Sequence, residues 1–213
     1  MSLTLYTDGF FISPYAFSVF VALEEKGVPY TLSPVSLADQ EQHRPQYLER
    51  AKLGRVPAID HDGFWLGESA AIIDYLDEVF LAPQYRRALP DDVRDRARAR
   101  MIMHWIRSDL LALREERPTS TMFYSPTDQP LSPAGRAAAT RLLEIALRLV
   151  PEGRTSLFGS WCIADSDLAF MLQRLARNRH EVPPRLRAFI ETQWQRASVQ
   201  KWVQLERAPY RPY

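Results

Sequence analysis

Leu3-Thr4-Leu5-Tyr6-Thr7, followed by Ser13-Pro14-Tyr15-Ala16 and then by Phe17-Ser18-Val19-Phe20-Val21-Ala22-Leu23-Glu24-Glu25-Lys26-Gly27, is the stretch that decides the fold. The first run reads as a short strand. The last carries apolar residues at Phe17, Phe20, Val21 and Leu23 and is closed by Gly27, the pattern of a helix with its stop signal. Ser13 therefore lies where a strand hands over to a helix, as N-cap, with Pro14 at the first helical position. Backbone N–H groups converge at such a junction, so a thiolate or other anion beside Ser13 is stabilised there.

Outward from this stretch, the first eighty residues alternate strand and helix. Tyr30 to Val35 is a second strand, and Glu41 to Leu48 a weak helix or irregular segment. Arg55-Val56-Pro57-Ala58-Ile59-Asp60 runs through the turn His61-Asp62-Gly63 into Phe64-Trp65-Leu66, a hairpin signal. Ser69 caps a helix whose apolar stripe is Ile72, Ile73, Leu76, Val79 and Phe80. The order β-α-β-α-β-β-α combines one crossover with one hairpin, which predicts a mixed sheet. Leu81 to Pro90, with two prolines and no periodicity, reads as an interdomain linker.

Beyond it the pattern is helical throughout. Asp91 to about Arg117 reads as one long segment with Val93, Ala97, Met101, Trp105 and Ile106 on its apolar side. Pro118 to Pro130 is a loop, and Ser132-Pro133 repeats the cap-then-proline start for a helix to Val150. Three shorter helices follow, Asp165 to Leu175, Pro184 to Gln193 and Ser198 to Glu206. The division expected is 1–82 for the α/β domain and 91–213 for an all-α domain.

Composition narrows the chemistry. At 213 residues, with 46% hydrophobic and 25% charged side chains, the chain is an ordinary globular protein with room for two small cores. A net charge of +1 gives no field for nucleic acid or an anionic membrane. The single cysteine, Cys162, excludes an internal disulfide and a cysteine-rich metal site, and the four histidines are too scattered for metal-ligand spacing. No signal-peptide pattern and no run of membrane-spanning length is present, so a cytoplasmic location is expected.

Ser13-Pro14 at the strand-to-helix junction, Val56-Pro57 entering a strand and Glu68-Ser69 closing the hairpin resemble, at this spacing, the glutathione S-transferase family in its bacterial, serine-type form. The resemblance covers essentially the whole chain. It implies a thioredoxin-like amino-terminal domain with a mixed four-stranded sheet, followed by an all-α domain that contributes the acceptor-substrate pocket. It also implies glutathione as co-substrate, no metal, and a homodimer.

Residue by residue, the resemblance implies a cis Val56–Pro57 bond, with the Val56 N–H and C=O binding the cysteinyl backbone of glutathione as an added strand would. Ser69 would take the γ-glutamyl carboxylate, Glu68 the γ-glutamyl amino group and Arg55 the glycyl carboxylate. Ser13 matches the catalytic position. A thiol of pKa about 8.5 is only about 3% thiolate at neutral pH, and lowering that pKa by two units takes roughly 2.7 kcal/mol of anion stabilisation.

Where redox members of the wider fold carry Cys-Pro-x-Cys, this chain has Ser-Pro-Tyr-Ala, so dithiol exchange within the protein is excluded. Ile163-Ala164-Asp165 is similar to the family's buried Thr-Ile-Ala-Asp helix start, but Cys162 stands in place of the threonine, which predicts a weaker cap. The family's Asn-Pro before Gly-x-Val-Pro is replaced by Ala51-Lys52. Taken one at a time these signals are ordinary. Ser132-Pro133 is expected to be only a cap, Val56-Pro57 alone an ordinary turn or an edge-strand proline, and Cys162 a small buried hydrophobe.

The expected activity is glutathione conjugation to a small electrophile, or reduction of an organic hydroperoxide by the bound thiolate. Two rivals are a non-catalytic stress or interaction protein on the same fold, and a carrier of hydrophobic ligands.

Overall fold

Strand β1 (Leu3–Asp8) sits inside a four-stranded sheet of order β2-β1-β3-β4 in the computed structural model, which describes residues 2–213. Helix α1 (Pro14–Lys26) crosses over to β2 (Thr31–Val35), which pairs parallel with β1 in the register Leu5↔Leu32. On the other side β3 (Ala58–His61) runs antiparallel, with Leu5↔Ile59 and Tyr6↔Ala58, and β4 (Phe64–Gly67) returns against it with Ala58↔Gly67. Asp62 and Gly63 turn the hairpin at φ of 50° and 90°, the positive values a two-residue turn of this hand requires. The mixed four-stranded sheet is as expected.

Burial explains why α1 forms and where the core sits. Every residue from Ala16 to Leu23 is buried, so the helix is enclosed all round rather than along one stripe. Helix α2 (Pro45–Ala51) follows a 3-10 turn at Glu41–His43, in the stretch where the helical pattern is weak. Helix α3 (Ser69–Val79) buries Ile72, Ile73 and Leu76, with Phe80 beyond its end, but Val79 faces solvent. Glu68 holds the cap position at φ 64°, and Ser69 is the first helical residue rather than the cap.

The segment expected to be a linker is tied down. Lys26, at the end of α1, has its side chain fully buried and donates from Nζ to Asp77 Oδ1 (2.8 Å), Phe80 O (3.0 Å) and Arg86 O (3.0 Å). Asp77 Oδ1 also accepts from Ala88 N (2.8 Å), and Ala88 and Leu89 are buried. A second cis peptide bond, Ala82–Pro83, lies in this segment beside Val56–Pro57 in the sheet domain. The lack of periodicity goes with a segment held by buried polar contacts, and the boundary between the two packing units, Ala88 to Leu89, falls inside it.

The helical half comprises α4 (Val93–Ser108), α5 (Leu111–Glu116), α6 (Ser120–Phe123), α7 (Pro133–Leu149), α8 (Ile163–Ala176), α9 (Pro184–Trp194) and α10 (Ala197–Val203). The long segment expected over 91–117 is broken at Asp109–Leu110. Leu110 is buried at φ 64°, and Asp109 accepts from Leu110 N, Trp105 Nε1 and Arg141 Nε. The apolar face of α4 also departs from the expected stripe. Val93 and Met101 are exposed, as is Ala97, and the core side is Ala99, Ile102 and Met103. Residues 118–130, expected to be loop, contain the single turn of α6.

Helix α8 is buried from Ile163 to Leu175 and packs against α4 and α9. Asp165 organises its start, accepting from Cys162 N (2.8 Å) and Leu157 N (2.7 Å). Those bonds oppose a burial cost that pushes its carboxyl up to about 6. Both halves of the capping box are present, the Cys162 side chain facing the N3 backbone and the Asp165 carboxylate taking the N-cap N–H.

By packing, the residues up to Ala88 form one unit together with Lys201–Tyr213, and Leu89–Gln200 form the other. The last thirteen residues thus belong with the sheet, not with the helices that precede them. Trp202 is the reason: it is fully buried, edge-on to Phe11, Phe17 and Phe20 at ring separations of 5.9, 6.0 and 5.1 Å. Among the described residues no helix is long and apolar enough to cross a membrane.

Candidate functional site

The sheet register gathers the candidate residues at one end of the first unit. Tyr6 pairs with Ala58, and Ala58 with Gly67. The end of β1, the start of β3 and the end of β4 therefore emerge together. From them lead the loop to Ser13, the approach through Arg55 and Val56, and the Glu68-Ser69 corner.

Ser13 is the N-cap of α1 in extended conformation, and its Oγ accepts from Ala16 N (3.2 Å). That bond occupies a lone pair and leaves the hydroxyl proton to be donated. Among the described residues, no protein acceptor takes it. Ser132, capping α7 by the same Ser-Pro start, differs on this point. Its Oγ accepts from Gly135 N (3.0 Å), and its proton goes to Glu116 Oε1 (2.6 Å). The two caps share a local sequence and differ in whether the protein has already used the donor.

Val56 shows the same kind of vacancy in its backbone. It is half-buried, precedes a cis proline, and neither its N–H nor its C=O finds a partner among the described residues. A half-buried peptide without partners fits an extended ligand laid alongside it. The neighbouring Arg55 is exposed, and its carbonyl accepts from the Tyr47 hydroxyl (2.8 Å), which fixes the approach to Val56. Tyr47 belongs to an aromatic cluster with Tyr6 and Trp65, Tyr6 stacking on Trp65 at 4.7 Å.

At the third corner the first turn of α3 has no side-chain cap, because Glu68 makes none. The positive end of the helix dipole lies beside an exposed Glu68 and a buried Ser69. This pairing of a carboxylate with a helix N-terminus suits a ligand end carrying both an ammonium and a carboxylate.

Two residues at this end were missed by sequence reasoning. Asp8 is fully buried and accepts from Ile12 N and Ser13 N, both at 2.9 Å. Arg207 donates to Phe11 O at 3.1 Å. The Asp8-Gly9 dipeptide, a turn signal ahead of the cap, was the available sign of the first, although its carboxylate reaches N–H groups four and five residues on. Nothing local signalled the second. Asp165 and Cys162, by contrast, are in the other unit; burial and the Asp165 charge push the Cys162 thiol up, away from nucleophilic use.

Comparison with known proteins gives a consistent answer. A family model described as glutathione S-transferase, N-terminal domain, matches residues 12–79, and one for the C-terminal domain matches 92–208. A glutathione transferase homologue from Burkholderia, solved with bound glutathione, is 40% identical, with 96% of this chain and 97% of that one covered at a TM-score of 0.79. Among curated relatives, probable maleylacetoacetate isomerase 2 of Drosophila melanogaster is 40% identical over 103 residues, 47% of this chain and 44% of that protein. Glutathione S-transferase theta-1 of Homo sapiens is 29% identical over 157 residues, 71% of this chain and 62% of that protein. This chain thus spans about half the length of the first curated relatives it matches.

The different fates of the two serine protons predict different stability losses. Ser13→Ala removes only the cap and should cost about 1 kcal/mol, within the usual range for a lost N-cap. Ser132→Ala also removes the donor to Glu116 and should cost more. Urea denaturation of the two variants checks the order, and a larger loss at Ser13 would mean that its proton has a structural acceptor.

Proposed function

Because this chain belongs to the glutathione S-transferase family, we propose that its first unit binds glutathione and that Ser13 keeps the bound thiol ionised for attack on an electrophilic carbon. The observation that carries the reading is the unclaimed Ser13 hydroxyl proton, at the same sheet end as the unpartnered Val56 peptide.

Each part of glutathione has a counterpart there. The cysteinyl backbone pairs with the Val56 N–H and C=O, and the γ-glutamyl carboxylate meets Ser69 and the first turn of α3. The γ-glutamyl ammonium pairs with Glu68, and the glycyl carboxylate with Arg55. The thiol lies at Ser13, whose hydroxyl donates to sulfur while the N-terminus of α1 adds its partial positive charge. Ser13 acts as a donor and not as a nucleophile, because among the described residues no base is hydrogen-bonded to its Oγ. The thiolate then forms a carbon–sulfur bond as the leaving group departs with its electron pair.

The maleylacetoacetate isomerase relatives favour a second use of the same step. The thiolate adds to a conjugated double bond, the resulting single bond rotates, and the thiolate is expelled as the double bond re-forms. Reduction of an organic hydroperoxide is a third outcome for the same panel of substrates. Glutathione binding without turnover of any of them would return the non-catalytic alternative. The active assembly we propose is a homodimer, for which exposed Phe64, Val79 and Leu81 in one unit and Met101 in the other are the candidate contact residues.

Three measurements test this reading. In calorimetric titration with glutathione, Ser69→Ala should weaken binding by about 1.5–3 kcal/mol, the range for hydrogen bonds to charged groups; wild-type affinity no better than the variant's would end the proposal. The ultraviolet thiolate absorbance of bound glutathione should titrate at higher pH in Ser13→Gly, a substitution that costs the cap only a few tenths of a kcal/mol. Superimposable curves would remove Ser13 from the mechanism. Light scattering at micromolar concentration should give about twice the 24.6 kDa of one chain, and a mass of one chain would exclude the dimer.

A further inference from the structure

The loop between β1 and α1 has almost none of its order from regular structure. Phe11 adopts φ 49°, in the left-handed region that a bulky residue avoids. What holds it is a set of bonds centred on Asp8. Gly9 N donates to Val35 O (2.9 Å), Phe11 N to Asp8 O (3.1 Å), Ile12 N to Asp8 Oδ2 (2.9 Å) and Ser13 N to Asp8 Oδ1 (2.9 Å). The two oxygens of one buried carboxylate thus fix two consecutive peptide planes, the second of which sets the direction of the Ser13 Cα–Cβ bond.

The carbonyl of Phe11 is held in turn by Arg207 Nη2 (3.1 Å). The same guanidinium also donates to Trp202 O, Val203 O and Leu205 O, so it is anchored on the end of α10. All of these residues lie in the first unit. The Phe11 ring adds an edge contact to the buried Trp202.

We propose that Asp8 is the positioning residue for Ser13, with Arg207 as its support, and that the two act on thiol ionisation only through the placement of the serine hydroxyl. The inference rests on the reading of Ser13 given under Proposed function. Two physical points support it. A donor displaced by about 1 Å from its reacting atom can lose about a hundredfold in rate, so a cap that is merely formed differs from one that is aimed. Asp8 also takes the Ser13 N–H for itself, which leaves the side-chain hydroxyl as the Ser13 donor available to a ligand. The Asp8 carboxyl is raised overall by its burial, and the N–H groups of Ile12 and Ser13 together with the charge of Arg207 oppose that rise.

The test is a double-mutant cycle read by the thiolate absorbance of bound glutathione. Asp8→Asn keeps the shape of the side chain but turns an NH2 toward one of the two backbone donors. It should raise the bound thiol's pKa by about one unit, a tenfold change in its ionisation constant, with glutathione affinity close to wild type by calorimetry. In a Ser13→Gly background the same substitution should shift the pKa no further. Equal shifts in both backgrounds, or no shift in either, would overturn the proposal. If Asp8→Asn does not fold, Arg207→Met goes through the same cycle, where a shift confined to the Ser13 background supports the proposal and equal or absent shifts overturn it. A wild-type protein that binds no glutathione would instead strike at the reading of the site itself, which the calorimetry reports separately.

Discussion

The buried ammonium of Lys26, with three acceptors drawn from the end of α3 and the segment after it, ties the first unit together. It closes α1 at its C-terminal end, where the helix dipole favours a cation, and binds Asp77 of α3 and the carbonyls of Phe80 and Arg86. Asp77 passes the connection on to Ala88. A pair buried to this degree adds little net stability over a packed apolar contact, yet removing one partner typically costs about 3–5 kcal/mol. Its effect is to specify one arrangement. At the other end of the same helix a second buried carboxylate, Asp8, holds the entering loop. Helix α1 is thereby clamped at both ends, and the residue of chemical interest is its cap.

Against that rigid background the site is defined by what the protein leaves unused. Fully buried polar groups in folded proteins almost always have partners, whereas half-buried ones without a protein partner are open to solvent or a ligand. Here the Ser13 hydroxyl proton and the Val56 peptide lack a partner among the described residues, and the first turn of α3 has no side-chain cap, at one end of one sheet. Ser132 shows that this is not a property of Ser-Pro helix starts, because Glu116 takes its proton. The same logic accounts for Asp165, whose carboxylate is consumed by the start of α8 and is structural despite its perturbed ionisation.

Some of this was legible in the residues. Gly27 and Ser13-Pro14 bound α1 correctly, and Asp62-Gly63 marked the hairpin turn. Other expectations failed for identifiable reasons. The stripe expected on α4 joined Val93, Ala97 and Met101, but a helix rich in arginine offers two weakly apolar faces, and packing against α8 selected Ala99, Ile102 and Met103. The break at Leu110 has no glycine or proline to announce it; Asp109 makes it by accepting three donors from its surroundings. Arg207 lies 196 residues from the carbonyl it holds, beyond the reach of any local pattern.

The sequence by itself determined the local grammar: caps, turns, strand alternation, the absence of a second thiol, and hence the class of fold and the family. Those features follow from short-range sterics and hydrogen bonding, which act over a few residues and leave a mark in their spacing. Tertiary structure alone decided which polar groups were satisfied and which remained available, because satisfaction depends on partners brought in from distant parts of the chain. Whether a Ser-Pro start is only a cap or also a free donor is a matter of what lies opposite it. For Ser132 that is Glu116; for Ser13 it is none of the described residues.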